Sequence, residues 1–289
     1  MIYWLGLGLI LGALFLETYA LRRLRAKVPL RIHIHGTRGK STLTRLVAKT
    51  LRDQGLKTLA KTTGDNPEYI LPDASFLPIR RTGPPRVMEQ AAALRLAARL
   101  GAQALVVEGM ALEKESIHQS ENLLQSTHVV IANARPDHAE TMGPGRLGVI
   151  AALSLLFPKN GRLYVSNDTG RSVFQTLAAK KNLPFFLVNC PNPLNQAPEL
   201  CRALTQNIPS GLAEKKSSRP NPSQPGPPVP GGSLSISSQT LAQNSFPMAF
   251  LDLFSANDRV SSALAWQAYP HKNSPNALKV AIFSTRSDR

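Results

Sequence analysis

Apolar and polar residues alternate from Leu30 to His35 in a stretch rich in branched side chains, which predicts a β-strand. Gly36 and Gly39 interrupt it. Lys40-Ser41-Thr42 then leads into apolar positions at helical spacing, Leu43, Leu46, Val47 and Leu51, and Gly55 supplies a stop. The alternation continues. Strands are expected at 56–61, 104–108, 127–133, 162–166 and 185–188, and helices at 89–100, 151–157 and 171–181. This order predicts an α/β fold with a mostly parallel sheet covered by helices. Ligands bind such sheets at the carboxyl ends of the strands. Three polar features fall there: the loop after His35, Glu108, and the segment from Asn133 to His138.

The first residues follow another pattern. Ile2 to Leu16 is uninterrupted and apolar, and Tyr19, Ala20 and Leu21 extend it past Glu17. A spanning helix needs about 20 residues, so residues 1–21 are expected to form a transmembrane anchor. The basic juxtamembrane segment 22–29 would lie on the cytoplasmic side, giving a single-pass cell-membrane protein with a cytoplasmic catalytic part. Gly8 and Gly12 are spaced to let two such helices approach as a homo-oligomer. The alternative is a segment tucked into a globular core. Toward the other end, residues 191–247 include the low-complexity run Pro220 to Gly232 and are expected to be a linker. Residues 248–289 are expected to open an incomplete C-terminal module, since a whole domain of that kind needs far more than the roughly 40 residues that remain.

Charge narrows the partners. The 34 Lys+Arg against 18 Asp+Glu leave a net charge of +16, which favours anionic ligands, nucleotides or headgroups. Its even spread, dense only from Arg22 to Arg31, argues against nucleic acid. Cys190 and Cys201 lack metal-ligand spacing and read as reduced thiols.

Strand, glycine loop and helix together are the setting of a phosphate loop. Backbone N–H groups at the helix start meet phosphate oxygens there, and the helix dipole favours their charge. Gly36, Thr37, Arg38, Gly39, Lys40, Ser41 and Thr42 are the expected ATP-binding residues, with Lys40 reaching the terminal phosphates and Ser41 meeting Mg²⁺. Ile34 occupies the place of the first glycine of the longer Walker pattern, so this is a shortened loop. Glu108 ends an apolar strand, where a carboxylate needs a partner, either a metal ion or a set of donors. Taken alone, Asn133 to His138 suits an ordinary turn.

Together and in this order, these residues resemble the Mur ligase superfamily, which includes folylpolyglutamate synthases. The shared pattern is Gly36-Thr37-Arg38-Gly39-Lys40-Ser41-Thr42, Glu108, and Asn133 with Asp137-His138 leading to Gly143. Within the superfamily the chain is most similar to the membrane-bound ligase subunits of poly-γ-glutamate synthases (the PgsB/CapB type). Arg38, Lys61-Thr62-Thr63-Gly64, Glu108-Gly109-Met110-Ala111 and Asp137-His138 through Met142-Gly143-Pro144 carry that likeness. Phe254 to Asp258 and Ser284 to Arg289 match more loosely.

The resemblance implies an ATP-dependent amide ligase that joins glutamate units through an acyl phosphate. Lys40, Glu108 and His138 would be catalytic, and Ser41, Glu108 and His138 would hold Mg²⁺. Thr63, Gly64, Asn133 and Asp137 would bind substrate. Its partners would be glutamate or the growing polymer and the membrane subunits of a synthase and export complex. Two departures stand out. Ala151 to Phe157 lacks the modified lysine of many Mur enzymes, and the chain lacks room for a full C-terminal domain. A separate chain would complete it, or it is a membrane-tethered nucleotide-binding regulatory or scaffold subunit. An unrelated phosphate-loop kinase or ATPase is the third reading.

Overall fold

The computed structural model describes residues 2–208 apart from 65, 82, 84, 111–112, 136–138, 167–170 and 190–195. The strands are β1 (Leu30–His35), β2 (Thr58–Lys61), β3 (Glu68–Ile70), β4 (Phe76–Pro78), β5 (Ala104–Glu108), β6 (His128–Ile131), β7 (Arg162–Ser166) and β8 (Phe185–Val188). They form one sheet in the order β4-β3-β2-β5-β1-β6-β7-β8. The six strands from β2 to β8 in that order pair in parallel, and only β3 and β4 are antiparallel. β1 lies between β5 and β6, with Ile34 opposite Glu108 and His35 opposite Ile131.

The helices are α1 (Ile2–Lys27), α2 (Lys40–Asp53), α3 (Met88–Arg99), α4 (Lys114–Leu124), α5 (Ala139–Met142), α6 (Gly145–Leu153), α7 (Arg171–Lys180) and α8 (Gln196–Gln206). Leu43, Val47 and Leu51 give α2 one apolar face, which packs with Ile32, Ile34 and Val106 on one side of the sheet. Leu200, Cys201 and Leu204 of α8 share that core. On the other side α3 covers Leu59, Leu105 and Val107, while α6 and α7 cover Val129, Ile131, Leu163 and Val165. Alternating strand residues thus feed opposite cores, as a sheet buried on both faces requires.

Two expectations need correction. The N-terminal segment is helical, yet among the described residues no helix is long and apolar enough to cross a membrane. The uncharged run Ile2 to Leu16 is 15 residues, about 22 Å of helix against a hydrocarbon core of about 30 Å. Beyond Glu17 the helix serves the domain. Leu21 and Leu24 pack on the α3 core, and Arg25 donates to the carbonyls of Asn122 and Leu123 at the end of α4 at 2.7–3.0 Å. The transmembrane helix, and the single-pass membrane location built on it, therefore do not stand. A Cβ added at Gly8 or Gly12 would touch nothing within 4 Å, so neither glycine serves packing within the described chain. The second correction lies in the expected linker, whose residues 196–206 form α8 and pack into the core. The low-complexity run and the expected C-terminal module lie outside the described residues.

Candidate functional site

Parallel strands deliver their carboxyl ends to one edge, and four converge here. β1 runs into Gly36. β2 ends at Lys61 and continues to Thr63 and Gly64, β5 ends at Glu108, and β6 leads to Asn133. The loop between β1 and α2 needs backbone conformations that a side chain resists. Gly36 has φ 137° and Gly39, which caps α2, has φ 75°. A Cβ on Gly36 would also come within 3.0–3.1 Å of the Asn133 backbone. Both glycines are therefore dictated by geometry.

Glu108 is 2 % exposed and ties three of these ends together. The Ser41 hydroxyl donates to Oε1 at 3.0 Å, and the Thr63 N–H donates to Oε2 at 2.9 Å. Gly64 lies beside Ser41, since a Cβ there would sit 3.4 Å from Oγ. The oxygen pair suits a hard cation. Adjacent ligands of an octahedral Mg²⁺, bonded at about 2.1 Å, lie about 3.0 Å apart. The separation of Ser41 Oγ and Glu108 Oε1 already matches, so an ion could replace the hydrogen bond with little movement. Lys40 folds back over the loop, its Nζ 3.4 Å from the Thr37 carbonyl oxygen.

Asn133 is buried against the loop. Its Oδ1 accepts from the Thr37 N–H, the Thr37 hydroxyl and the Arg38 N–H at 3.1, 2.7 and 2.9 Å, and its Nδ2 donates to the Arg38 carbonyl at 2.9 Å. Asp137 and His138, expected as substrate and metal ligands, lie outside the described residues.

Lys61, Arg81 and Glu89 form an ion-paired cluster beside this edge. The Lys61 ammonium is fully buried 3.0 Å from Glu89, and burial pushes its pKa below the usual lysine value against the opposing pull of Glu89. Arg81 grips both Glu89 oxygens at 2.9 and 2.8 Å and donates to the Thr63 carbonyl at 3.4 Å. Thr63, whose N–H holds Glu108, is thus also held through its own carbonyl by Arg81, which is itself ion-paired with Glu89. Lys61 was visible in the Lys-Thr-Thr-Gly segment, but only folding brings Arg81 and Glu89 to it. His35 belongs to the same floor. Its ring lies where a Cβ on Gly109 would intrude to 1.9 Å, and burial, with His33 and Lys40 nearby, holds its pKa well below the ordinary imidazole value.

Comparison with known proteins adds a family. Residues 34–190, more than half of the chain, match the Mur ligase middle domain. The chain is 29 % identical over 273 residues to PGA synthase CapB of Bacillus subtilis (strain 168), covering 91 % of this chain and 69 % of that protein. It is 27 % identical over 281 residues to the capsule biosynthesis protein CapB of Bacillus anthracis, covering 91 % of this chain and 58 % of that one. Among solved structures, the bifunctional folylpolyglutamate synthase/dihydrofolate synthase of Yersinia pestis, complexed with AMPPNP and Mn ion, aligns with a TM-score of 0.48. Its identity is 13 %, over 68 % of this chain and 59 % of that one.

Proposed function

The chain belongs to the Mur ligase family, a family of ATP-dependent ligases, and from that premise we propose that it joins glutamate units into poly-γ-glutamate. The supporting observation is the pairing of Ser41 and Glu108 at the foot of a phosphate loop, 3.0 Å apart. The likeness to the two CapB proteins supports the substrate class. ATP would lie with its phosphates at the start of α2, where N–H groups and the helix dipole favour negative charge. Ser41 and Glu108 would hold Mg²⁺, whose chemistry is to neutralise charge on the phosphate oxygens.

The residues of the chain support the rest of the reaction. Lys40 would move from the Thr37 carbonyl to the terminal phosphate and offset charge as the phosphoryl group transfers. The γ-phosphoryl passes to a glutamate carboxylate oxygen, ADP leaves, and an acyl phosphate forms. The amine of a second glutamate then attacks the acyl carbon. An amide bond forms, inorganic phosphate departs, and the amine gives up its proton. Thr63 and Gly64 flank Ser41 and would line the carboxylate's approach, with Asp137 and His138 as further proposed ligands. The product would pass to other subunits of a synthase and export complex.

Product analysis tests this directly. Incubation with ATP, Mg²⁺ and glutamate should yield γ-linked glutamyl amides by mass spectrometry, one ADP for each bond. Nucleotide binding without any amide product would instead favour a regulatory or scaffold subunit.

A further inference from the structure

We propose that Asn133 and Thr37 form a clip that presets the phosphate loop and divides its N–H groups between structure and ligand. The inference rests on the proposed nucleotide site and deepens it. Asn133 is 2 % exposed at the end of β6, and four hydrogen bonds of 2.7–3.1 Å join its amide to Thr37 and Arg38. The Thr37 hydroxyl works in both directions, donating to Asn133 Oδ1 and accepting from the Arg135 N–H at 3.2 Å. The Ala132 N–H donates to the His35 carbonyl at 2.9 Å, and the Gly36 Cα passes close to the Asn133 backbone. Residues 132–135 are thus laced along residues 35–38.

The consequence is a division of labour within the loop. The N–H groups of Thr37 and Arg38 point to a side-chain oxygen of the protein, so phosphate binding falls to the N–H groups of Gly39, Lys40, Ser41 and Thr42 and to the Lys40 ammonium. Residues 39–42 are where α2 begins, and there the dipole adds to the N–H groups. Preordering also removes an entropic cost, because a loop held before the ligand arrives need not be ordered by it. Asn133 is in this account a positioning residue. Only an amide can serve, because the clip needs an acceptor for three donors and a donor for the Arg38 carbonyl.

Amide hydrogen exchange on the full chain without nucleotide reads the clip itself. The Thr37 and Arg38 amides should be protected in the wild type, and exchange about tenfold faster or more in Asn133→Ala, in line with the loss of one net hydrogen bond each. Thr37→Val should behave similarly and Thr37→Ser should restore protection, which covers the case of a misfolded Asn133 variant. With nucleotide, Asn133→Ala should weaken ADP by about tenfold while leaving adenosine within about twofold, because the phosphate end alone depends on the loop. Unprotected amides in the wild type, or unchanged exchange in both variants, would overturn the clip. So would a shift in the KM for glutamate with ADP affinity intact, since Asn133 would then be touching substrate. A wild-type chain that binds no nucleotide would defeat the proposed function, and the exchange measurement would still decide the clip.

Discussion

A carboxylate at 2 % exposure must be matched by donors or by a cation, and Glu108 has two donors aimed at it, one from the start of α2 and one from the turn after β2. Glu108→Gln tests which of these matters. The amide keeps the shape but loses the charge, so Mg²⁺-dependent turnover should fall about 100-fold or more while nucleotide affinity in the absence of Mg²⁺ changes little. Equal losses in both would make Glu108 a structural acceptor. His128 gives a second test, on stability. Burial, with Arg162 nearby, lowers its pKa to about 4, and its ring stacks with Tyr164 at 6.0 Å. The unfolded chain binds this proton near pH 6.5, whereas the folded chain resists it until about 4. Stability from His128 is therefore complete above about 6.5 and declines as pH falls toward 4, by up to about 3 kcal/mol. His35 acts in the same direction. Denaturant unfolding between pH 7 and 4 should show this decline, and His128→Gln should flatten it.

At the scale of elements, the phosphate loop depends on glycine and α2 depends on its neighbours. Gly36→Ala would force a side chain into φ 137° and against the Asn133 backbone. A cost of about 1–3 kcal/mol is expected, with nucleotide affinity falling in parallel. Circular dichroism melts and ADP titration would check both. Leu204→Ala in α8 should cost about 2–4 kcal/mol by opening a cavity beneath α2. β1, β5, β7 and β8 were legible in the sequence because each is a short branched or apolar run between clear stops. α4 and α8 were not. Lys114 to Leu124 carries only Ile117 and Leu124 as buried apolar residues, mixed with buried Ser120 and Glu121. A period is hard to see in such a helix, since His33 and Ser126 satisfy Glu121 only once folding brings them together. The hairpin-like β3 and β4 are three residues each, too short to show alternation. The N-terminal run misled for the opposite reason. Its pattern is strongly apolar, but length and the docking of Leu21, Leu24 and Arg25 decide its role.

For the whole molecule, the sheet order does what no local motif can. Placing β1 between β5 and β6 sets Glu108 and Asn133 on either side of the loop, although they lie 67 and 96 residues from Ser41 and Thr37 in sequence. Ser41, Glu108 and Asn133 stood out in the sequence as motif residues, but their hydrogen-bond partners did not, because only the fold shows Asn133 bonded to the loop and Lys61, Arg81 and Glu89 clustered behind Thr63. The net charge of +16 suits the anionic substrates proposed above. In the proposed function this edge of the sheet couples ATP cleavage to glutamate. The direct measurement is ADP release by the purified full chain with ATP and Mg²⁺, with and without glutamate, beside Lys40→Ala. Release that rises with glutamate and disappears in Lys40→Ala is the predicted result. Release that ignores glutamate, or that survives loss of Lys40, would contradict the account.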